Sequence, residues 1–326
     1  MLMKTAAVAL GFATVVGMWP ATIAAQDYPS RNVSFVVPTG AGAANDLIAR
    51  VLAPKLSERL GKTFVVENRP GSGTVVGARS VLAAQPDGHT LLMATSTVLA
   101  INATLHKNLP YDPAKDFVPV ALISAVPFTL MVRNELPVST VKEFIKYAKE
   151  RPGQLSYAST GPGSPFHLYA ELFSSMTGIK MVHVPYRAAV AGLSDLMGGH
   201  VQVMFGDFSS SLPLIRAGKV RTLGVTTKTR VPFAQDIAPI AELGVPGFDA
   251  SAWMMVAVRA ETPKPAVDKL HEALKAVMAM IETQQEISKI GMIPLQTGSV
   301  PELQAFVKSE IDRWGEVVKK AGAVIE

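Results

Sequence analysis

The stretch that decides the fold is residues 33–60, VSFVVPTGAGAANDLIARVLAPKLSERL. Its first five residues, 33–37, are β-rich and largely apolar, and they predict a buried strand. A loop with two glycines follows at 38–44, after which apolar residues recur at helical spacing as far as Leu60. Gly61 then provides the stop of the helix.

The same order of strand, polar glycine loop and helix recurs at residues 155–177, LSYASTGPGSPFHLYAELFSSMT. Two such units predict an α/β protein of two lobes, with helix N-termini directed towards a shared cleft. Unpaired backbone N–H groups and the positive end of each helix dipole favour an anion in that cleft. The sequence therefore predicts a site for a small anionic ligand.

Strands alternate with helices through the rest of the chain. Further strands are predicted at residues 63–66, 90–94, 119–124, 128–133, 155–158, 181–184, 201–205, 220–226 and 253–258. Helices are predicted at about 74–84, 141–150 and 165–177, and three amphipathic helices follow residue 258. We expect Asn45 or Asp46 to cap the first helix and Pro54 to kink or restart it.

Composition excludes several classes of protein. The chain has 326 residues, 48% of them hydrophobic and 17% charged, which suggests two domains with two cores. Cysteine is absent, so disulfides, thiolate metal sites, cysteine nucleophiles and lipidation of an N-terminal cysteine are excluded. Lys and Arg form no stripe interleaved with aromatic residues, so nucleic acid is not an expected partner.

The first 25 residues predict a secretory signal peptide. Lys4 precedes an apolar run from Ala6 to Trp19, and small residues follow, with cleavage expected after Ala24 or Ala25. The alternative is a membrane-anchoring helix, but the run is shorter than the roughly 20 residues that span a bilayer. Removal of Lys4 lowers the net charge from +5 to +4. We expect a soluble, unlipidated periplasmic protein.

Two segments resemble catalytic or nucleotide-binding motifs. Residues 40–45 resemble the start of a dinucleotide fingerprint, but Asn45 replaces the third glycine. Ser164 and His167 allow a serine-hydrolase hypothesis, although the elbow motif G-x-S-x-G is absent. The alternative is that Ser164 caps a helix with Pro165 at its first position. We favour the cap, which leaves the Ser164 hydroxyl available to a ligand.

The remaining polar residues indicate no metal site and leave one arginine ambiguous. The six histidines lack metal-ligand spacing, and no metal or cofactor is expected. Arg187 follows a predicted strand, where ligands of α/β sheets bind, and its guanidinium would suit a carboxylate. It is equally well interpreted as a surface residue or as a partner of Asp207.

A series of short runs covers essentially the whole mature chain. The runs are Tyr28-Pro29-Ser30-Arg31, Val36-Val37-Pro38, Val66-Glu67-Asn68-Arg69-Pro70-Gly71, Pro86-Asp87-Gly88-His89-Thr90-Leu91-Leu92, Leu109-Pro110-Tyr111-Asp112-Pro113, Asp116-Phe117-Val118-Pro119-Val120, Ser159-Thr160-Gly161-Pro162-Gly163-Ser164, His183-Val184-Pro185-Tyr186-Arg187 and Pro246-Gly247-Phe248. In this order they resemble the periplasmic substrate-binding proteins of tripartite tricarboxylate transporters, the Bug family.

The resemblance implies an α/β, two-lobed periplasmic binding protein of type II, the Venus-flytrap form, with two strands crossing between lobes near residues 125 and 250. Lobe 1 would be discontinuous, residues 26–125 plus 251–326, and lobe 2, residues 126–250, would be inserted. Such a protein is expected to be a monomer without catalytic residues, which captures a di- or tricarboxylate, an acidic amino acid or an aromatic acid. Its partners would be the permease subunits of the transporter, or a membrane receptor if its role is sensory.

The resemblance also implies ligand-binding residues. They are Thr39, Gly40, Ala41 and Asp46 after the first strand, Ser96 and Thr97 after a later strand, Ser159, Gly163, Ser164 and His167 in lobe 2, and Arg187 and Asp207 on neighbouring strand ends. Two departures bear on the ligand. The family usually carries Phe where Thr39 stands and Pro-Gly-Gly at 41–43, and it usually carries Gly where Ala188 stands. The choice of carboxylate therefore remains open.

Overall fold

The computed structural model describes residues 28–323; the predicted signal peptide, residues 1–25, lies outside them. The strands of the described part are β1 (Val33–Val37), β2 (Phe64–Asn68), β3 (Thr90–Thr95), β4 (Phe117–Val132), β5 (Ser156–Ser159), β6 (Val182–Pro185), β7 (Val203–Asp207), β8 (Arg221–Val225), β9 (Ser251–Arg259) and β10 (Ile293–Pro294). Its α-helices are α1 (Ala44–Leu60), α2 (Val75–Leu82), α3 (Asn102–Leu105), α4 (Val141–Lys149), α5 (Pro165–Thr177), α6 (Ala189–Gly198), α7 (Phe208–Arg216), α8 (Lys264–Ala279), α9 (Ile281–Lys289) and α10 (Val300–Lys320). A π-helical turn, Thr97–Ile101, precedes α3.

The first lobe is built on three parallel strands in the order β2-β1-β3. β9 runs antiparallel beside β3, and the first part of β4 runs antiparallel beside β9. The short β10 pairs with β4. Parallel neighbours end at the same edge of the sheet, so the loops after β1, β2 and β3 lie side by side.

The second lobe repeats this arrangement. Its parallel strands follow the order β6-β5-β7, the second part of β4 runs antiparallel beside β7, and β8 pairs with the other side of β4. The chain passes between the lobes twice, within β4 and just before β9 begins at Ser251. Both the predicted α/β class and the predicted pair of crossings are therefore present.

β4 is one strand of 16 residues where the sequence predicted two, at 119–124 and 128–133. Pro127 is the last β4 residue paired with β9, and Phe128 is the first paired with β7. Proline lacks the N–H that a ladder uses, so it is tolerated at this change of partner. The prediction of a break was wrong because the strand changes partners there without ending.

Two helix boundaries lie where the sequence predicts them, and the start of α1 does not. Gly61 stops α1 in the left-handed conformation, and Ser164 caps α5 with Pro165 in its first turn, both as predicted. α1, however, starts after Ala43 and runs without restarting through Pro54. The prediction that Asn45 or Asp46 caps α1 was wrong, because the helix begins one residue before Asn45.

The lobes share a continuous apolar core. α8 packs on α1 and β4, while α10 contacts the turn 97–101, α3, β4 and α5. α10 buries Trp314, whose ring stacks on Tyr169 of α5 with a centroid distance of 5.5 Å. Trp253 of β9 is also buried, so both tryptophans are packing residues. Between residues 28 and 323, no helix combines the length and the apolar character needed to cross a membrane.

Candidate ligand-binding cleft

The candidate site lies where the carboxyl-end loops of the two lobes meet. The first lobe contributes the loops after β1 and β3, and the second lobe contributes the loop 159–164 after β5. Leu105 at the end of α3 reaches this second loop: a methyl group added at Gly163 would lie 2.2 Å from its Cδ2 atom. One of the loops predicted to hold the ligand, 159–164, is thus in contact with α3 of the first lobe.

Asp46 organises the loop between β1 and α1. Its carboxylate accepts hydrogen bonds from Gly42 N–H at 2.8 Å, Arg50 Nε at 3.0 Å and Asn68 Nδ2 at 2.9 Å. Burial raises the pKa of this carboxyl. The hydrogen bonds from Arg50, Gly42 and Asn68 and the positive charge of Arg50 outweigh burial and hold the pKa below its usual value. Asp46 therefore faces its own loop as a partnered anion.

Asn68 also ties this loop to β2, through a 3.1 Å hydrogen bond from Nδ2 to the Thr39 carbonyl. The Thr39 hydroxyl donates to Asn45 Oδ1 at 2.5 Å. Gly40 and Ala41 stand exposed at the tip of the loop. The loop is therefore held at both ends, with its small residues directed to solvent.

Two of the buried polar groups without a hydrogen-bond partner lie beside the loops of the first lobe that face the candidate site. Asn45 is 2% exposed and its Nδ2 group makes no hydrogen bond; Ser96 is 1% exposed and its hydroxyl makes none either. They follow the ends of β1 and β3, which are adjacent strands. An unpaired buried donor costs about 1–3 kcal/mol, so these two groups are suited to an acceptor that enters from outside the protein.

The loop of the second lobe is stabilised by its own polar groups. The Ser164 hydroxyl donates to the Gly161 carbonyl at 2.7 Å and accepts from His167 N–H at the start of α5. Gly163 N–H donates to Nδ1 of His167 at 3.1 Å. The Ser159 hydroxyl accepts from Gly161 N–H at 2.9 Å and lies 2.5 Å from Nε2 of His183.

Two imidazoles lie behind this loop, and burial lowers the pKa of both. For His167, burial is the cause of the lowered pKa. Burial, together with the neighbouring His167, lowers the pKa of His183 to about 4, although Glu171 acts in the opposite direction. Both rings are therefore neutral at neutral pH.

Asp207, Arg187 and Thr97 are the remaining residues that were predicted to bind the ligand. Asp207 is buried and caps α7, accepting from Ser210 N–H at 2.9 Å. Arg187 is exposed after β6, and within residues 28–323 no ion pair joins it to Asp207. Thr97 opens the π-helical turn next to Ser96.

Sequence reasoning missed three residues of this region. Asn45 was considered as a cap and as a replacement for a fingerprint glycine, but not as a ligand contact, although its amide is one of the unpartnered groups. Asn68 and His183 were quoted within family runs without a role, yet each holds a cleft loop by side-chain hydrogen bonds. Their positions at the ends of β2 and β6 were the available signal.

The contacts of Ser164 and His167 bear on the hydrolase hypothesis. A serine nucleophile needs its hydroxyl within hydrogen-bond reach of a base. The Ser164 hydroxyl instead donates to the Gly161 carbonyl, and Nδ1 of His167 accepts from Gly163. In the described part of the chain, no group of three or more His, Asp or Glu side chains is arranged to hold a metal ion.

Comparison with known proteins identifies the family. Residues 48–323 match the model of the tripartite tricarboxylate transporter family receptor. The chain belongs to this receptor family. It is similar to Rpa4515 of R. palustris, solved with adipate, at 37% identity and a TM-score of 0.85, covering 91% of this chain and 99% of that one.

Two more solved structures have the same architecture. The periplasmic binding protein BugD is 34% identical with a TM-score of 0.82, covering 92% of this chain and 100% of that one. MatC from Rhodopseudomonas palustris, solved with bound malate, is 30% identical with a TM-score of 0.81, covering 89% of this chain and 100% of that one. The resemblance to the Bug family and the predicted periplasmic-binding-protein fold are confirmed.

Proposed function

We propose that this receptor captures a small carboxylate between its lobes and delivers it to the membrane subunits of a tripartite tricarboxylate transporter. The observation that carries the proposal is a pair of unpartnered buried groups, Asn45 Nδ2 in the first turn of α1 and the Ser96 hydroxyl directly after β3. A carboxylate oxygen accepts hydrogen bonds from both kinds of donor. The only carboxylate of this loop, Asp46, is already partnered by Arg50.

The ligand is proposed to contact both lobes. In the first lobe its contacts would be the loop of Thr39, Gly40 and Ala41 with Asn45 beside it, and Ser96 with Thr97. In the second lobe they would be the loop from Ser159 to Ser164, with Arg187 and Asp207 at its sides. A ligand favours a closed form only as far as it binds that form more tightly than the open one.

Aliphatic dicarboxylates are the first compounds to test, because two similar structures were solved with adipate and malate. Thermal unfolding of ligand-stripped, refolded protein should be measured with mono-, di- and tricarboxylates, acidic amino acids and aromatic acids. A ligand that binds only the folded state raises stability as RT ln(1 + [L]/Kd). Stabilisation by uncharged solutes and by no carboxylate would overturn the proposal.

A matched pair of substitutions tests the Ser96 hydroxyl directly. Ser96→Ala removes an unpartnered buried hydroxyl at the proposed site, whereas Ser174→Ala removes another unpartnered buried hydroxyl, in α5. Loss of a hydrogen bond to a charged group costs about 1.5–3 kcal/mol, so titration calorimetry with the stabilising carboxylate should show Kd rising about tenfold or more for Ser96→Ala. Equal Kd values for the two variants would exclude Ser96 from the site.

Catalysis is not part of the proposed function, and the hydrolase alternative has a direct test. Wild-type protein and Ser164→Ala are assayed with a panel of esters. Turnover that the substitution abolishes would make Ser164 a nucleophile and overturn a role in binding alone.

Export is proposed to precede binding. The predicted signal peptide, residues 1–25, would be removed, leaving an unlipidated monomer in the periplasm. N-terminal sequencing of the periplasmic form tests cleavage after Ala24 or Ala25, and light scattering tests the monomer. Ligand uptake by cells lacking the transporter's membrane subunits separates transport from a sensory role, since only transport requires those subunits.

The lobes are proposed to move as units of residues 26–125 with 251–326 and of residues 126–250. The crossings lie in β4 and just before β9, where few residues join the two parts. Hinges are commonly a few residues at the ends of elements. X-ray scattering with and without the stabilising carboxylate tests closure.

A further inference from the structure

Three aromatic rings stack directly behind the loop 159–164. His167 of α5 and His183 of β6 lie with their ring centroids 4.2 Å apart at an angle of 21°. Tyr157 of β5 lies nearly parallel to both rings, with its centroid 5.1 Å from that of His183 at 18° and 6.3 Å from that of His167 at 10°. We call Tyr157, His183 and His167 the ring stack; it joins three elements of the second lobe at the proposed ligand loop.

Each imidazole of the ring stack controls one glycine N–H of that loop. Gly163 N–H donates to Nδ1 of His167, so this nitrogen carries no proton and the ring is protonated on Nε2. Gly161 N–H donates to the Ser159 hydroxyl, which lies 2.5 Å from Nε2 of His183. N–H donors bind at about 2.7–3.2 Å and O–H donors at about 2.5–3.0 Å, so we assign the Ser159 hydroxyl as the donor to His183, in preference to its longer 3.4 Å contact with the Gly161 carbonyl, and the proton of His183 is then on Nδ1.

Burial and the closeness of the two imidazoles favour these neutral forms, and the nearby carboxylate of Glu171 acts against the neutral form of His183. Tyr157 donates its hydroxyl to Glu171 of α5 at 2.6 Å, so this carboxylate is held one ring away from His183. On the opposite face of β5, α6 carries Asp195, which is partnered by the hydroxyl of Tyr186. A proton added to His167 Nδ1 would face the Gly163 N–H, and a second charged ring 4.2 Å away would repel it.

We propose that His183 and His167 are positioning residues of the ligand site, which fix the backbone of the loop 159–164 only while both rings are neutral. This rests on the proposed function, since the loop is taken to contact the carboxylate. His167 then acts through Gly163 and not by touching the ligand, and His183 acts through Ser159. Acidification should release the loop and weaken ligand binding.

The first experiment needs no ligand. Amide hydrogen exchange is measured for Gly161 and Gly163 in the wild type, in His183→Phe, which keeps a stacked ring but removes the acceptor, and in His183→Gln, which keeps an acceptor. His200→Gln changes an exposed histidine and is the control. A lost hydrogen bond of about 1.4 kcal/mol is a factor of ten, so exchange should rise about tenfold in His183→Phe and less in His183→Gln.

The second experiment measures Kd for adipate and for malate by calorimetry between pH 8 and pH 4, a range that reaches the lowered pKa of His183, about 4. We expect Kd to rise as the pH falls in the wild type, and to be about tenfold higher at pH 8 in His183→Phe, with partial rescue by His183→Gln. If the amide exchange rates of Gly161 and Gly163 are unchanged in His183→Phe, the positioning role is overturned, whether or not a carboxylate binds. Altered exchange in a protein that binds no carboxylate would leave the positioning role standing and overturn the proposed function.

Discussion

At the scale of single residues, the buried carboxylate of Asp46 is the clearest case of a side chain placed for the fold. It lies in a loop of small residues, where it accepts from Gly42, Arg50 and Asn68. The resemblance to the Bug family implied that it binds the ligand, as part of the segment that follows the first strand. The partners that fix it come from β2 as well as from α1, and this tertiary proximity cannot be inferred from spacing along one element.

Asp46→Asn should therefore lower the free energy of unfolding. The neutral amide keeps one acceptor but weakens the contacts with Arg50 and Gly42, and loss of buried hydrogen bonds costs about 1–3 kcal/mol. Urea unfolding at pH 7 measures it. The control is Asp268→Asn, which removes another i,i+4 ion pair, to Lys264, whose side chains are 53% and 83% exposed; exposed pairs contribute about 0–1 kcal/mol. Equal losses in both variants would contradict the role given to Asp46.

His183 should make stability depend on pH. Its pKa is lowered in the folded protein from 6.5 to about 4, so the unfolded chain binds the proton more readily. Its contribution to stability is full above pH 6.5 and is lost as the pH falls towards 4. The slope of unfolding free energy against pH in this window should be smaller in His183→Phe than in His200→Gln. A slope that the His183 substitution leaves unchanged would contradict this reading of the ring.

At the scale of elements, the sequence predicts helices and strands well where the determinants are local. Ser164 and Pro165 specify the start of α5, and Gly61 specifies the end of α1. Besides the cap of α1, the errors are at prolines. Pro127 indicates a break only if β4 keeps a single partner, and Pro54 indicates a restart only if the rest of α1 is not held by packing against α8 and α9.

Ser164 caps α5 and also lies in the proposed site. Comparison with Thr140, the cap of α4, distinguishes these two roles. Ser164 accepts a hydrogen bond from the N–H of His167, the third residue of α5. Thr140 accepts one from the N–H of Glu143, the third residue of α4. Ser164→Ala and Thr140→Ala should each cost about 1 kcal/mol of unfolding free energy. Only Ser164→Ala should also raise Kd for the stabilising carboxylate, measured by calorimetry. A comparable rise in Thr140→Ala would mean that the effect is global destabilisation.

At the scale of the whole molecule, the repeated strand order explains why two glycine loops far apart in sequence each lie at the carboxyl-end edge of parallel strands. Each lobe places three parallel strands beside an antiparallel one, so each offers its carboxyl-end loops at one edge. The recurrence of strand, glycine loop and helix at 33–60 and 155–177 predicted this pairing. The sequence did not predict which side chains touch between the lobes, because contacts such as that of Leu105 with Gly163 depend on how the lobes pack together.

Gly163 should be the position where the contact between lobes is most sensitive to one methyl group. Its φ is +74°, and a Cβ there would lie 2.2–2.8 Å from three side-chain atoms of Leu105, which is itself buried. Gly178 at the end of α5 has φ +73° and open space around it. Gly163→Ala and Gly178→Ala therefore share the left-handed strain, about 1–2 kcal/mol, but only the first pushes against the other lobe.

Both alanine variants should consequently lose similar stability, while Gly163→Ala alone should raise Kd for the stabilising carboxylate and retain a larger radius of gyration at saturating ligand. Calorimetry and X-ray scattering measure the two effects. Leu105→Ala in the Gly163→Ala background removes the opposing side chain and should recover part of the affinity, because the two substitutions share one contact. If Gly163→Ala and Gly178→Ala closed and bound alike, the approach of Leu105 to the glycine loop would play no part in closure, and the ligand alone would hold the lobes together.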